Sequence, residues 1–573
     1  LHNNKMNSTL RSVRLVLRVV SVRSLATQPD KHIVRSPYRD VTVPDVNLVQ
    51  FVWKMVDKFP SYTALMCGVT GRSYTYAESR SVASTFASSL RKAGYRKAST
   101  LAMVLYNCPE FPLVMLGAIE AGMVVTTINP TYTEEEMGWQ IIHSGASCVV
   151  TTPESLPNVL KAVRGVEKVK QEKVMVIVTP GLSSATTTEG AVKFQDMVSR
   201  EADTSSLLSS EAASPGDVAV MPFSSGTTGL PKGVQLSHKN LIANCLQMCD
   251  TPVLWIVDPA TSEKQDVVMG VLPFFHVYGL SCILLSSMYF GAKIITLPKF
   301  EPNLFLSSII KHKATVLYLV PPLVQFLGKY PEVTSEHFKT VRFVTSGAGP
   351  IGEADAKLVL NKGSHIHFIQ GYGLTETSPL VSILHKKSTN LNSSGSPIPN
   401  TLVKIINTET GTLLGPGQVG ELCVHGPQVM LGYHNNPSAT AETIDSEGWL
   451  HTGDLGYYNE TSNLFIVDRL KELIKVKGYQ VAPAELEKLL RQHPKIDDVA
   501  VIGIPNERLG EAPCAFIVSR SKLTEDEVKN FVKGKVAEYK ELSGGVQFIQ
   551  EIPKNPAGKI LRRTLRDMYC VSL

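Results

Sequence analysis

The sequence predicts an α/β protein with a large N-terminal domain of stacked sheets with helices plus a β-barrel-like subdomain, followed by a small mobile α+β C-terminal domain. Three observations lead there. In the N-terminal half, strand-length apolar runs at 101–106 and 123–127 flank a helix-like segment at 112–121, the alternation that places helices on a parallel sheet. From 395 to 468 the texture changes to short β-like runs, 402–406, 420–425 and 464–467, punctuated by glycine and proline, as in a small barrel. Beyond Arg469 the pattern mixes strands at 499–504 and 515–518 with a helix that Thr524 and Glu527 open as a capping box and that runs to about residue 539. With 573 residues, 43% hydrophobic and 19% charged, the chain supports more than one core and is not globally disordered. No internal repeat occurs, which sets aside solenoids and propellers.

The remaining elements follow in order. Residues 40–66 and 74–95 read as helical around a turn at 68–71, and 179–216, rich in Ser, Thr, Ala and Gly, as a surface linker or a loop with a short helix. No formal charge lies between Asp266 and Lys293, but Pro273, His276 and Gly279 interrupt that stretch. It reads as a buried strand, a loop and a core helix rather than a membrane span.

Lysine and arginine number 57 against 51 acidic residues. Residues 1–28 hold five basic and no acidic side chains, and Arg469 onward holds 19 basic and 14 acidic. The excess is thus divided between the N-terminal segment and a basic C-terminal lobe suited to phosphates, which excludes a nucleic-acid-binding face as its explanation. Met6 reads as the initiator. Arg11, Arg14 and Arg18 fall on one helical arc, with Val13, Val16, Leu17 and Val20 opposite, so residues 1–28 are expected to be a mitochondrial targeting leader. Its arginines break every apolar run well short of the ~18 residues of a transmembrane helix. No transmembrane segment is expected. Only Leu573 matches a Ser-Lys-Leu peroxisomal address, so peroxisomal and cytosolic placement are the alternatives. The nine cysteines include no Cys-x-x-Cys, and the nearest pair, Cys245 and Cys249, fits one helix face. That excludes a disulfide scaffold or zinc module and fits a reducing compartment. The sequence carries no sign of oligomeric state.

The most informative stretch is Ser224-Ser225-Gly226-Thr227-Thr228-Gly229-Leu230-Pro231-Lys232-Gly233, which follows an apolar run at 218–223. Glycines and small hydroxyl residues after a strand let backbone N–H and side-chain O–H groups converge on an anion, and Lys232 adds positive charge. This is a phosphate cradle but not a Walker A loop, because Leu230 and Pro231 separate glycine from lysine.

Four further motifs follow: Gly371-Tyr372-Gly373-Leu374-Thr375-Glu376-Thr377, Gly453-Asp454, the run from Asp468-Arg469-Leu470-Lys471 to Lys477-Gly478-Tyr479-Gln480, and Pro556-Ala557-Gly558-Lys559-Ile560-Leu561. In this order the chain resembles the acyl-adenylate-forming (AMP-binding) enzymes, which include acyl-CoA synthetases, plant 4-coumarate:CoA ligases and beetle luciferases. The resemblance runs from about residue 37 to residue 566. It implies an AMP-binding N-terminal domain at 37–467, a hinge at 468–472 and a C-terminal domain at 473–573. The implied activity is that of an AMP-forming carboxylic acid:CoA ligase, which adenylates an aryl propenoic or fatty acid and then forms a thioester with CoA. ATP, Mg²⁺ and CoA are the implied cofactors.

Activating a carboxylate with ATP brings an anionic nucleophile to an anionic phosphate, so catalysis must supply positive charge and alignment. Ser224, Ser225, Gly226, Thr227, Thr228, Gly229 and Lys232 would hold the β- and γ-phosphates, and Thr375 would donate to the α-phosphate. Glu376 offers Mg²⁺ a hard oxygen ligand. The resemblance implies that Tyr372, between Gly371 and Gly373, stacks its flat face on adenine, and that Gly347 and Ala348 belong to a turn lining the adenine and acyl pockets. Asp454 has the carboxylate to accept from both ribose hydroxyls, with Arg469 assisting. By resemblance Lys559 bridges carboxylate and α-phosphate during adenylation, His276 is a gate residue near the adenylate, and Lys471 is the hinge. Lys475 and Gln480 serve the thioester-forming conformation, and Lys477 and Gly478 line the pantetheine path. By the same resemblance Tyr278, Ser346, Gly347, Gly371, Pro379 and Leu380 are expected to border the acid. Luciferase-like oxygenation of an adenylate and a non-enzymatic acyl or nucleotide binder stand as alternatives. The segment Phe275-His276-Val277-Tyr278 looks more like the plant ligases and their animal relatives than like beetle luciferases.

Overall fold

The computed structural model describes residues 32–182, 190–199, 213–224, 231–249, 251, 254–349, 351–470, 472–476, 479–506, 508–555 and 558–571. The leader expected at 1–28 lies outside them.

Two nine-stranded sheets form the body. In the first, the parallel strands Thr100–Val104, Val124–Thr127, Ala146–Thr151, Met175–Val178 and Val218–Val220 lie beside antiparallel Lys232–Ser237. In the second, Thr63–Cys67, Lys293–Thr296, Val267–Gly270, Val316–Leu319, Phe343–Ser346 and His367–Gly373 run parallel in that spatial order. Central strands such as Thr100–Val104 and Val316–Leu319 are buried throughout, which is why they read as unbroken apolar runs and not as alternating ones. The barrel-like layer expected from the sequence is a five-stranded antiparallel sheet, in the order Val34–Arg35, Leu402–Ile406, Gly420–His425, Leu450–Tyr458, Leu464–Arg469.

The C-terminal region has its own sheet, centred on the antiparallel pair Ile496–Asn506 and Gly510–Ser519 with Val546–Phe548 added in parallel, and its own buried clusters around Val499, Val501 and Ile517 and around Ile502, Cys514 and Leu565. A small cluster of Leu455, Leu473 and Ala482 joins it to the last strands of the body. Among the described residues no helix is long and apolar enough to cross a membrane.

Two expectations need correction. Within 40–66 only Leu48–Val52 and the short 3₁₀ turn Trp53–Met55 are helical, and Thr63–Cys67 is a strand. Pro60 ends any helix there, and Ala64 and Leu65 are buried where the strand pairs with Lys293–Thr296. The helix opened by Thr524 stops at Val532, before 539. Gly534 follows at φ +73°, a left-handed residue that terminates helices. The 266–293 stretch is the strand, loop and core helix expected, the helix beginning as the π-helical Tyr278–Leu285 and continuing as Ser286–Phe290. In 179–216 the described residues include the short helix Phe194–Val198. Cys245 and Cys249 share a helix face with sulfurs 3.9 Å apart.

Candidate active site

Ligands of open α/β sheets bind outside the carboxyl ends of the strands, and here those ends converge from both large sheets. A cavity of about 790 Å³ is lined by Thr127, Asn129 and Ser224 from the first sheet and by His276, Tyr278, Ser346, Gly347, Ala348 and Gly371 through Glu376 from the second. The antiparallel sheet adds Glu421, His451, Gly453 and Arg469, and the C-terminal region adds Lys554, Asn555 and Lys559. A second cavity of about 260 Å³, between body and C-terminal region, shares Tyr372, Arg469 and Lys559 with it.

The strand His367–Gly373 delivers Tyr372 and then turns into the short helix Thr375–Thr377. Gly373 is required at that turn, because a Cβ there would lie 1.9 Å from the Pro379 carbonyl oxygen. Glu376 is buried, and its Oε1 accepts from the Ser224 hydroxyl at 2.9 Å and the Tyr433 hydroxyl at 3.0 Å. Lys232 Nζ sits 4.8 Å from the centre of the same Tyr433 ring, so the described start and end of the 224–233 loop converge beside the carboxylate. Tyr372 donates its hydroxyl to Asp454 Oδ2 at 2.7 Å, and Arg469 Nε pairs with Oδ1 at 3.1 Å. Burial raises Asp454 above the usual carboxylate range, against the opposing pull of Arg469. Each oxygen keeps a further lone pair for a ligand hydroxyl.

Lys559 projects into this cavity from a C-terminal loop anchored by its own N–H on Asn555 Oδ1 at 2.9 Å. A Cβ on neighbouring Gly558, at φ +78°, would lie 3.2 Å from Pro322, so loop and body touch. Burial, and secondarily the Arg469 charge, lower the Lys559 ammonium to about 8. Burial, and then Lys559, push the His276 imidazole down to about 4. His276 is therefore neutral at neutral pH. Its Nδ1 accepts from the Tyr278 N–H at 3.3 Å, which leaves the proton on Nε2.

A second branch of the cavity is apolar. Tyr278 donates its hydroxyl to the Leu319 carbonyl at 3.3 Å and pairs with Thr345 Oγ1 at 3.1 Å. Its ring would lie 3.3 Å from any Cβ on Gly347, so glycine there keeps the passage open. Ala348 next to it takes a left-handed φ of +66°. Ser346, Gly371, Pro379 and Leu380 complete the predicted acid border, and Met248, Ile256, Cys282, Tyr318, Ile369 and Ile383 extend it.

The structure therefore brings together Ser224, Lys232, His276, Tyr278, Ser346, Gly347, Ala348, Gly371, Tyr372, Gly373, Thr375, Glu376, Pro379, Leu380, Asp454, Arg469 and Lys559 around the two adjoining cavities. It does not bring Lys475 there. That residue is exposed, its backbone N–H donating to Glu511 at 2.7 Å, in a hairpin with Tyr479–Val481 where it is paired with Gln480. Ser225, Gly226, Thr227, Thr228, Gly229, Lys471, Lys477 and Gly478 lie outside the described residues. Sequence reasoning missed Tyr433, Glu421, His451 and the residues extending the apolar branch. Tyr433 follows a glycine with no motif around it, and Met248, Ile369 and Ile383 are indistinguishable in sequence from ordinary core.

A nucleotide-handling enzyme with a lysine delivered from a second domain is the class these features define. The profile of the AMP-binding enzyme family matches residues 52–434, and that of the AMP-binding enzyme C-terminal domain matches 485–559. The chain is 39% identical over 548 residues to 4-coumarate–CoA ligase 1 of Arabidopsis thaliana, spanning 93% of this chain and 95% of that protein. It is 38% identical over 545 residues to the 4-coumarate–CoA ligase of Pinus taeda, spanning 94% and 98%. Among solved structures it is similar to ATP-bound MatB from Rhodopseudomonas palustris, with a TM-score of 0.81 and 26% identity over 92% of this chain and 99% of that one. The chain belongs to the AMP-binding enzyme family, the family of the AMP-forming acid–thiol ligases it resembles.

Proposed function

We propose that this protein is an AMP-forming carboxylic acid:CoA ligase acting on an apolar monocarboxylic acid of the aryl propenoic or fatty class. The observation that carries this reading is the entry of Lys559, half-buried and held near Asp454 and Arg469, into the cavity that also contains Glu376, Thr375 and His276. In the first half-reaction the acid's carboxylate attacks the α-phosphate and pyrophosphate leaves. Lys559 supplies charge to the phosphate and carboxylate oxygens, Thr375 donates to the α-phosphate, and Ser224 and Lys232 hold the departing phosphates. Tyr372 supports adenine and Asp454 the ribose. Glu376, a buried carboxylate at the mouth of the phosphate loop, has the hard oxygens that suit Mg²⁺, which would neutralise phosphate charge there. In the second half-reaction the CoA thiol attacks the acyl carbonyl and AMP leaves, with Lys475, Gln480, Lys477 and Gly478 serving that arrangement and Lys471 the hinge.

The acid class follows from the apolar branch, whose described residues Met248, Ile256, Cys282, Tyr318, Ile369 and Ile383 include no formal charge. A second carboxylate would be desolvated there without a partner, at a cost of several kcal/mol or about a thousandfold in affinity. Pyrophosphate release measured over aryl propenoic, fatty and dicarboxylic acids, with and without CoA, tests the reading. Release with the first two classes, accompanied by CoA-dependent AMP, supports it. Turnover of dicarboxylates alone, or oxygen-dependent light with luciferin in place of CoA-dependent AMP release, overturns it. We further propose mitochondrial delivery by the 1–28 leader, supported by its arginine arc and lack of acidic residues. A tagged chain that stays cytosolic or enters peroxisomes would contradict that.

A further inference from the structure

The strand that presents Asp454 is not regular. In the pairing of Gly420–His425 with Leu450–Tyr458, Glu421 lies opposite Leu455 and Cys423 opposite His451, so Thr452, Gly453 and Asp454 bulge out across from Leu422. Bulges re-aim side chains beside active sites. This one turns through Gly453 at φ +68° and carries Asp454 to Tyr372 and Arg469. Asp454 N–H donates to Thr452 Oγ1 at 3.1 Å and Leu470 N–H to the Gly453 carbonyl at 2.9 Å, and two bonds tie the bulge to the facing strand. Thr452 Oγ1 donates to the Leu422 carbonyl at 2.8 Å, and Gly453 N–H donates to Glu421 Oε1 at 3.0 Å.

The other oxygen of Glu421 faces His451 Nδ1 at 3.1 Å, while His451 Nε2 faces Asp445 Oδ2 at 3.5 Å. Asp445 is itself anchored, accepting from the Glu447 and Trp449 N–H groups at 2.9 Å each, with Lys404 Nζ 3.8 Å away. An imidazole between two carboxylates is held as a cation, and the Cys423 thiol and Glu421 push it up to about 10. The ligand atoms of Glu421, Cys423 and His451 lie within 4.8 Å of one another, a spacing that would also suit a metal ion. A cationic imidazole, protonated on both ring nitrogens, has no lone pair left for one.

We infer that Glu421, clamped by His451 and Asp445, is a positioning residue that sets nucleotide affinity by fixing the Thr452–Asp454 bulge at the ribose hydroxyls. Neither Glu421 nor His451 needs to touch the reacting atoms. The inference rests on the reading of Asp454 as the ribose ligand. Its distinguishing signature is loss of discrimination for those hydroxyls, since adenine stacking and phosphate binding are built from other residues.

The test compares AMP with dideoxy-AMP, which lacks both ribose hydroxyls, by calorimetry on the full chain and on Glu421→Ala, Glu421→Gln and His451→Ala. The wild type should bind AMP about tenfold more tightly than dideoxy-AMP, the worth of hydrogen bonds to a buried charge, and Glu421→Ala should reduce that ratio to about twofold or less. Glu421→Gln, which retains an acceptor for Gly453, should fall between. Where Glu421→Ala or His451→Ala does not fold, Asp445→Asn, which removes only the outer carboxylate, should lower the ratio part of the way. Folded Glu421→Ala and His451→Ala that keep the wild-type ratio overturn the inference and leave the ribose role of Asp454 standing. A wild type that binds both nucleotides equally overturns that role as well.

Discussion

At the scale of single residues, the environment of Lys559 predicts a pH dependence for the chemistry proposed for it. Its ammonium is lowered to about 8, first by burial and then by Arg469, with Asp454 and Glu472 pulling the other way. The charged form is the useful one and is lost as pH rises through that value. Adenylation at subsaturating substrates should therefore fall about tenfold per pH unit above about pH 8. Lys559→Arg, whose guanidinium stays charged throughout, should lower the rate at neutral pH but abolish that alkaline limb. A wild-type profile of pyrophosphate release that stays flat to about pH 10 would contradict the assigned environment. Residue-scale chemistry was the most legible part of the sequence. Glu376, Asp454 and Lys559 could be singled out because they sit in motifs that resemble the family's, whereas Tyr433, which donates to Glu376, comes beside it through the pairing of Gly432–Tyr433 with Val234 and Gln235.

At the scale of elements, Asp468 is the penultimate residue of the last strand of the body and reaches into the C-terminal region. Its Oδ2 accepts from the Ala484 N–H at 2.9 Å, in the first turn of the helix Pro483–Leu490, and its Oδ1 accepts from the Arg469 N–H at 2.7 Å. Burial nonetheless raises it to about 6. A carboxyl raised on folding binds its proton more tightly in the folded state, so its contribution to stability is complete below about pH 4 and is lost as pH rises through about 6. Asp468→Asn cannot titrate. Its melting temperature relative to wild type should rise between about pH 4 and about pH 6, as followed by circular dichroism, and a constant difference across that range would contradict the assignment. Elements were legible where pattern and context agreed, as in the buried strand Thr100–Val104 and the capping box at Thr524. The sequence misled at Thr63–Cys67, where pairing with Lys293–Thr296 over 200 residues away decides the outcome, and the bulge at Thr452–Asp454 has no sequence signature beyond one glycine.

At the scale of the whole molecule, the two lobes meet so that Lys559 lines the cavity while Lys475 stands exposed outside it. This arrangement of the C-terminal lobe suits the proposed first half-reaction, and Lys475, proposed to serve the second, stands outside the cavity. The sequence showed that there were two lobes, from the change in texture past Arg469. It could not show which face of the small lobe meets the body, because that depends on surface contacts such as Gly558 on Pro322 that leave no periodic trace. We propose that one protein surface supplies Lys559 to adenylation and another supplies Lys475 to thioester formation. Rapid-quench measurement of adenylate formation and of thiol attack on preformed adenylate, in Lys559→Ala and Lys475→Ala, tests it most directly. The account predicts that Lys559→Ala slows adenylation about a hundredfold to a thousandfold and nearly spares thiol attack, and that Lys475→Ala does the reverse. Equal loss of both half-reactions in either variant would contradict it.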